Sequence, residues 1–201
     1  MAKDAASIHE LFRTRRSIRK FKPDPIPNET LERITSAACW APSAMDRQPW
    51  KFYVLTDEMR DRLATIHQPI FQQMEEAIRE RYGEEGVDIR RRLYMNLGGA
   101  PVAVACFADK REEDGDRDKI SAALACQNLV MAAWAEGIGS LMMGSSMHVK
   151  DEISYLCGVD TKKMDFVMVI LLGYPDEQPQ PPERRKKRVV FASTPADIRN
   201  Q

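Results

Sequence analysis

The apolar positions of this chain follow two rhythms. Ile8, Leu11 and Phe12 are spaced for one face of a short opening helix, and Leu31, Ile34, Ala37, Ala38 and Ala41 repeat at the helical period until Pro42 interrupts them. Between the two, Pro23, Pro25 and Pro27 force an extended link, with Asn28 placed to cap the second helix. The second rhythm is that of strands. Apart from Lys51, residues 51–55 (KFYVL), 101–107 (PVAVACF) and 166–172 (FVMVILL) are aromatic, β-branched or apolar, and 101–107 reads as a central strand buried on both faces.

The intervening segments are longer and helical. Thr56-Asp57 can cap a helix, and from about 58 to 97 dense charge alternates with apolar residues at helical spacing, broken near Gly83 and Gly86. Two helices or a helical lid satisfy that pattern. From Ile120 to Ala135 a helix is apolar on almost every side, with Asp116 or Asp118 near its start and Gly137 just beyond its end. Such a helix needs cover all round, from the centre of its own domain or from a subunit interface that its alanines would suit. Helices and strands interleave without strict alternation, which predicts an α+β fold rather than a doubly wound sheet.

Length and charge narrow the picture. The 201 residues suit one domain, with 176–201, rich in Pro and charge, as a C-terminal arm. Lysine plus arginine and aspartate plus glutamate are both 30, so no global field draws the chain to nucleic acid or a membrane, and an anion site must be local. No signal-length apolar stretch opens the chain and no 18-residue uncharged apolar run occurs, which predicts a cytoplasmic protein. Cys39, Cys106, Cys126 and Cys157 are widely spaced without a CxxC pair and read as buried free thiols in a reducing compartment. His9, His67 and His148 stand far apart without ligand spacing, so no metal site is expected.

Candidate chemistry concentrates in two runs. Residues 13–19 read RTRRSIR, where Arg13, Arg15, Arg16 and Arg19 accompany the hydroxyls of Thr14 and Ser17. Guanidiniums beside short hydroxyls can hold a phosphate, while the plain alternative is a solvated basic turn closing a helix. Residues 42–50 read PSAMDRQPW, which alone is a proline-framed turn with Trp50 as filler. A GxGxxG after a strand, a GxxxxGK[ST] loop, a GxSxG turn and a recognisable cysteine nucleophile are all absent from the sequence. The chain therefore offers binding groups in place of a nucleophile.

In this order and spacing, Arg15, Arg16, Ser17, Arg19 and Phe21 followed by Pro42, Ser43, Asp46, Gln48, Pro49 and Trp50 resemble the opening of the FMN-dependent nitroreductase family. Further along, Gly98-Gly99-Ala100-Pro101, Gly137-Ile138-Gly139-Ser140 before Met143-Gly144, and Leu172-Gly173-Tyr174-Pro175 continue the likeness over nearly the whole chain. The resemblance implies an intertwined homodimer of α+β subunits, each with a central, mostly antiparallel sheet flanked by helices, and FMN in clefts at the subunit interface. It implies that Arg15, Ser17 and Arg16 hold the FMN phosphate, and that Arg19 faces the N1 and C2 carbonyl edge, where positive charge would raise the flavin potential. Pro42, Ser43 and Gln48 would come from the partner subunit, with Asp46 a further cofactor-binding candidate. Gly144 or Ser145 would supply the hydrogen bond near N5, and Arg184, Arg185 or Lys186 a further phosphate contact.

Asp46 departs from the family's usual asparagine, exchanging a donor and acceptor for an acceptor alone. The implied activity is reduction of nitroaromatic, quinone or related small acceptors by a ping-pong hydride transfer from NADH or NADPH, with no catalytic residue beyond the flavin. Flavin fragmentation, reductive dehalogenation and a non-catalytic flavin-binding protein share the motif.

Overall fold

The computed structural model describes residues 5–111, 116–185, 188–189 and 191–194. Its framework is an antiparallel sheet of β1 (Trp50–Leu55), β2 (Val102–Asp109), β3 (Gly139–Met143) and β4 (Met164–Gly173) in the order β1-β2-β4-β3. β2 runs through the middle, and every residue from Val102 to Ala108 is buried. Alternation decides which face each serves: Ala103, Ala105 and Phe107 join one core, Val102, Val104, Cys106 and Ala108 the other. Phe107 anchors the first core, its ring meeting Tyr53 and Phe166 edge-on at 5.5 Å each.

Helices cover both faces. α1 (Ala5–Thr14), α2 (Asn28–Ala38) and α4 (Arg117–Ala135) lie on the side of the second core. α3 (Asp57–Asn96) and α5 (Lys150–Leu156) lie on the first. α3 is a hairpin rather than a rod. Gly83, at φ 68°, turns the chain back, so that Phe71 meets Tyr94 at 6.4 Å, Glu75 pairs with Arg91 at 3.2 Å and Gln68 donates to the carbonyl of Met95 at 3.4 Å. This pair of helices is one of the forms that the charge pattern of 58–97 allowed.

Several local expectations change. Gly139–Met143 is a strand that periodicity did not announce, because a glycine, a serine and two methionines carry little β signal; its pairing with β4 imposes the conformation. Asn28 does not cap α2. Pro27 sits at the N-cap position, Asn28 is the first helical residue, and no side-chain cap bond forms. Thr56 takes the N-cap position of α3, also without a side-chain bond. The four cysteines are free, but Cys39 is exposed and Cys157 only half-buried, because each ends a helix at the edge of its layer.

Within its own chain α4 is left open along one stripe. Ala122, Ala125, Cys126, Leu129 and Ala133 are fully buried, yet Ile120 is 59% and Leu124 43% exposed. Phe12, Trp40 and Met45, on α1, at the end of α2 and in the turn that packs on α4, are exposed as well. The apolar excess of this helix layer is thus left at the surface.

Candidate functional site

The arginine run begins where α1 ends and continues as an extended segment along the sheet edge. Ile18 N–H donates to the carbonyl of Ser140 at 3.0 Å, Phe21 N–H to Gly98 at 2.9 Å, and Lys22 N–H to Tyr174 at 2.9 Å. Glycine makes this route possible. A Cβ on Gly98, at φ 66°, would meet the carbonyl oxygen of Arg19 at 2.3 Å, and one on Gly139 would meet Ile18 at 2.8 Å. Ile18 and Phe21 are buried while Arg15, Arg16 and Ser17 stay half-buried and Arg19 exposed, so the backbone is fixed and the polar side chains face outward.

The chain beyond β4 returns to the same segment. Asp176 N–H donates to the carbonyl of Lys20 at 2.9 Å, and Glu177 accepts the backbone N–H groups of Arg19 and Lys20. Residues 179–184 then close one wall of a cavity of about 320 Å³ lined by Arg15, Arg16, Ser17, Arg19 and Arg184, with Pro179, Gln180 and Pro182. Burial, then the nearby cations Arg184 and Arg16, hold the Arg15 guanidinium below its usual pKa. Like charges crowded into a half-buried cavity are the setting in which a dianion binds well.

Each cation in the run has a distinct duty. Arg16 spends Nη1 on the carbonyls of Arg13 and Arg15, at 2.7 and 2.8 Å, which closes the C-terminus of α1 and holds the guanidinium at the cavity wall. Arg13 turns away and pairs with Glu10. Thr14, a sequence candidate for the anion, is committed elsewhere: its hydroxyl donates to the carbonyl of Glu10 at 2.8 Å and accepts Trp134 Nε1–H at 3.1 Å. Among the tail candidates, Arg184 lines the cavity, Arg185 is exposed and does not line it, and Lys186 lies outside the described residues.

The second motif forms a tight loop just before β1, and none of its residues lines that cavity. Met45, Asp46 and Gln48 all have positive φ, at 53°, 53° and 47°, each costing on the order of 1 kcal/mol for a residue with a Cβ. Short hydrogen bonds hold the strained form. Ser43 Oγ accepts Gln48 N–H at 3.0 Å, and Asp46 Oδ1 accepts the Gln48 side-chain amide at 3.1 Å. The Ser43 hydroxyl therefore keeps its own proton for another acceptor. An aspartate fills this internal role as well as an asparagine could, since only acceptance is needed. Pro42, Asp46 and Gln48 are exposed and Ser43 is half-buried.

Gly144 and Ser145 start the 3₁₀ turn Gly144–Val149 at the end of β3. Ser17 bridges Ser140 on that strand, four residues before Gly144, so the two places are roughly 13 Å apart along the strand. Behind the turn lies a contact the sequence did not reveal. Buried Ser146 meets buried His67 Nε2 at 2.8 Å, and burial lowers the pKa of that histidine. The partners stand 79 residues apart, with no local signal joining them. The bonds of Glu177 to Arg19 and Lys20 were likewise not legible, because the partners stand 158 and 157 residues apart.

A larger apolar groove of about 630 Å³ between α3 and α5 contains no residue of either motif. Among the described residues, no three His, Cys, Asp or Glu side chains converge as a metal site, and no helix is long and apolar enough to cross a membrane.

Comparison with known proteins shows the family and the fold. The sequence profile of the Nitroreductase family matches residues 12–174. The chain is 31% identical over 187 residues to the 5,6-dimethylbenzimidazole synthase of Rhodospirillum rubrum, spanning 88% of this chain and 85% of that protein. It is 27% identical over 205 residues to the nitroreductase NfnB of Mycolicibacterium smegmatis, spanning 86% and 85%. The solved structure of the FMN-dependent nitroreductase NfnB from Mycobacterium smegmatis in complex with NADPH aligns at a TM-score of 0.75 with 23% identity, over 94% of this chain and all of that one, 100%. The profile match runs from the end of α1 to the residue after β4, and the chain belongs to the nitroreductase family.

Proposed function

We propose that the protein is a cytoplasmic, homodimeric, FMN-dependent NAD(P)H oxidoreductase that reduces nitroaromatic, quinone or related small acceptors in two half-reactions. The observation that carries this reading is the convergence of Arg15, Arg16, Ser17 and Arg184 on one half-buried cavity. When bound, FMN supplies the two-electron chemistry between nicotinamide and acceptor. Arg15 and Arg184 neutralise its phosphate, Ser17 adds a hydroxyl donor, and Arg16, already fixed by backbone carbonyls, contributes remaining donors.

Arg19 stands at the same wall and presents its charge toward the N1 and C2 carbonyl edge, where electron density accumulates on reduction. Gly144 and Ser145 offer backbone N–H groups near N5. The roughly 13 Å between Ser17's bridge and Gly144 suits an elongated ligand lying along β3. A second copy brings Pro42, Ser43, Asp46 and Gln48 over the ring, and the exposed Phe12, Trp40, Met45, Ile120 and Leu124 form the surface on which it docks.

The test is direct. The purified protein is expected to be yellow with FMN and to bleach on anaerobic addition of NADH or NADPH, then recover colour with a nitroaromatic or quinone. A colourless protein that takes up no FMN would sink the reading, and a yellow one that never bleaches would favour a binding protein without turnover. The 31% identity to a 5,6-dimethylbenzimidazole synthase favours a second reading, breakdown of reduced FMN by oxygen. Mass spectrometry for dimethylbenzimidazole after aerobic incubation with reduced FMN separates the two.

A further inference from the structure

His67, on the outgoing arm of α3, and Ser146, in the Gly144–Val149 turn, are both fully buried and joined at 2.8 Å between Nε2 and Oγ. His67 Nδ1 lies 2.8 Å from the carbonyl of Leu63. A carbonyl only accepts, so Nδ1 carries the proton; in the neutral ring Nε2 then holds a lone pair, and the Ser146 hydroxyl donates to it. Burial disfavours the charged ring and keeps this polarity. The direction of both hydrogen bonds is thereby set.

The turn needs such an anchor. Its first residue is Gly144, with nothing within 4 Å of where a Cβ would stand, and only Ser146 and Val149 of its six residues are buried. Ser145, next in line, is half-buried, so the residue offered to the flavin and the residue held from behind are adjacent. A site must hold its groups within about half an ångström to be productive, and a glycine-led turn alone does not.

We infer that His67 is a positioning residue, which through Ser146 fixes the backbone of Gly144 and Ser145 against the N5 side of the flavin and ties that edge to the α3 hairpin. The inference rests on the flavin reading above. It assigns to the hairpin a second duty besides covering the sheet, because a shift of its outgoing arm moves the turn with it.

Three variants of the FMN-loaded protein test it. Ser146→Ala removes the donor. His67→Asn retains an amide on the Leu63 side but falls short of Ser146, whereas His67→Gln reaches Ser146 with an amide oxygen that accepts its proton. Ser146→Ala and His67→Asn are expected to slow anaerobic reduction at saturating nicotinamide roughly five- to twentyfold, with little change in the apparent KM, while His67→Gln stays within about twofold of wild type. Long-range ¹H–¹⁵N spectra of wild type, with and without FMN, should place the His67 proton on Nδ1. The Asn and Gln contrast still decides if Ser146→Ala does not fold.

Variants that lose thermal stability but reduce at full rate would make the pair a core hydrogen bond only and overturn the inference, as would a proton found on Nε2. A wild type that binds no FMN would overturn the flavin reading and this inference together. A wild type that binds FMN alongside full-speed variants would overturn this inference alone.

Discussion

The two motifs that stand out in the sequence are built in opposite ways. The 15–22 segment is knitted into its own subunit by backbone hydrogen bonds to Ser140, Gly98, Tyr174 and Asp176, with glycines leaving room along its path and residues 176–184 folded over it. The 42–48 loop has three residues at positive φ, exposes Pro42, Asp46 and Gln48, and is joined to α4 by a hydrogen bond from Ala44 N–H to Ser121. One is a finished wall. The other is a strained loop whose polar side chains are left open to solvent, the form that the proposed dimer would need at a site shared between two copies.

If the arginine wall is finished within one chain, Arg15→Ala has the largest effect. Losing a charge-assisted contact worth about 1.5–3 kcal/mol should weaken FMN by roughly 10- to 100-fold while leaving riboflavin nearly unchanged, as titration of flavin fluorescence would record. Equal losses for both ligands would place the phosphate elsewhere. The converse test addresses the loop. Leu124→Asp, on the exposed stripe of α4, should convert a dimer to monomers in sedimentation and weaken FMN at least tenfold, although no residue of the arginine cavity has changed.

Gly98→Ala probes the knitting itself. A methyl 2.3 Å from the Arg19 carbonyl, on a residue with φ 66°, should lower stability by about 1–3 kcal/mol in chemical denaturation and weaken FMN secondarily. A wild-type-like denaturation midpoint would mean that the 15–22 segment is held less tightly than its hydrogen bonds imply. The smallest effect is electronic. Arg19→Leu should keep the phosphate site yet lower the flavin midpoint potential by about 30 mV, equivalent to ~1.4 kcal/mol for two electrons, in equilibrium dye titration.

Much of this contrast was already legible in the residues. β2 and β4 announced themselves as unbroken apolar runs because both their faces are buried, and Gly83 marked where α3 doubles back. β3 did not, since its strand form comes from neighbours on either side and not from its own GSLMM. In the candidate site, the motifs pointed to arginines that the fold brings to one cavity, while the Thr14 hydroxyl of the same run is taken up by Glu10 and Trp134. The register of the tail depends on geometry that composition does not carry: Pro179 and Pro182 line the same cavity wall as Arg184. The link from His67 to Ser146 exists only once the hairpin is laid on the turn.

The placement of that hairpin carries one more consequence. β1 and β2 are direct antiparallel neighbours, with Leu55 opposite Ala103, a junction that a short connection could close. The chain instead travels out through all of α3 and returns to the point it left. Closing a loop costs only logarithmically more as it lengthens, so this excursion behaves as a cassette. Its length can change near the Gly83 turn, while the register of the sheet and the cation-lined cavity on its far edge are left untouched.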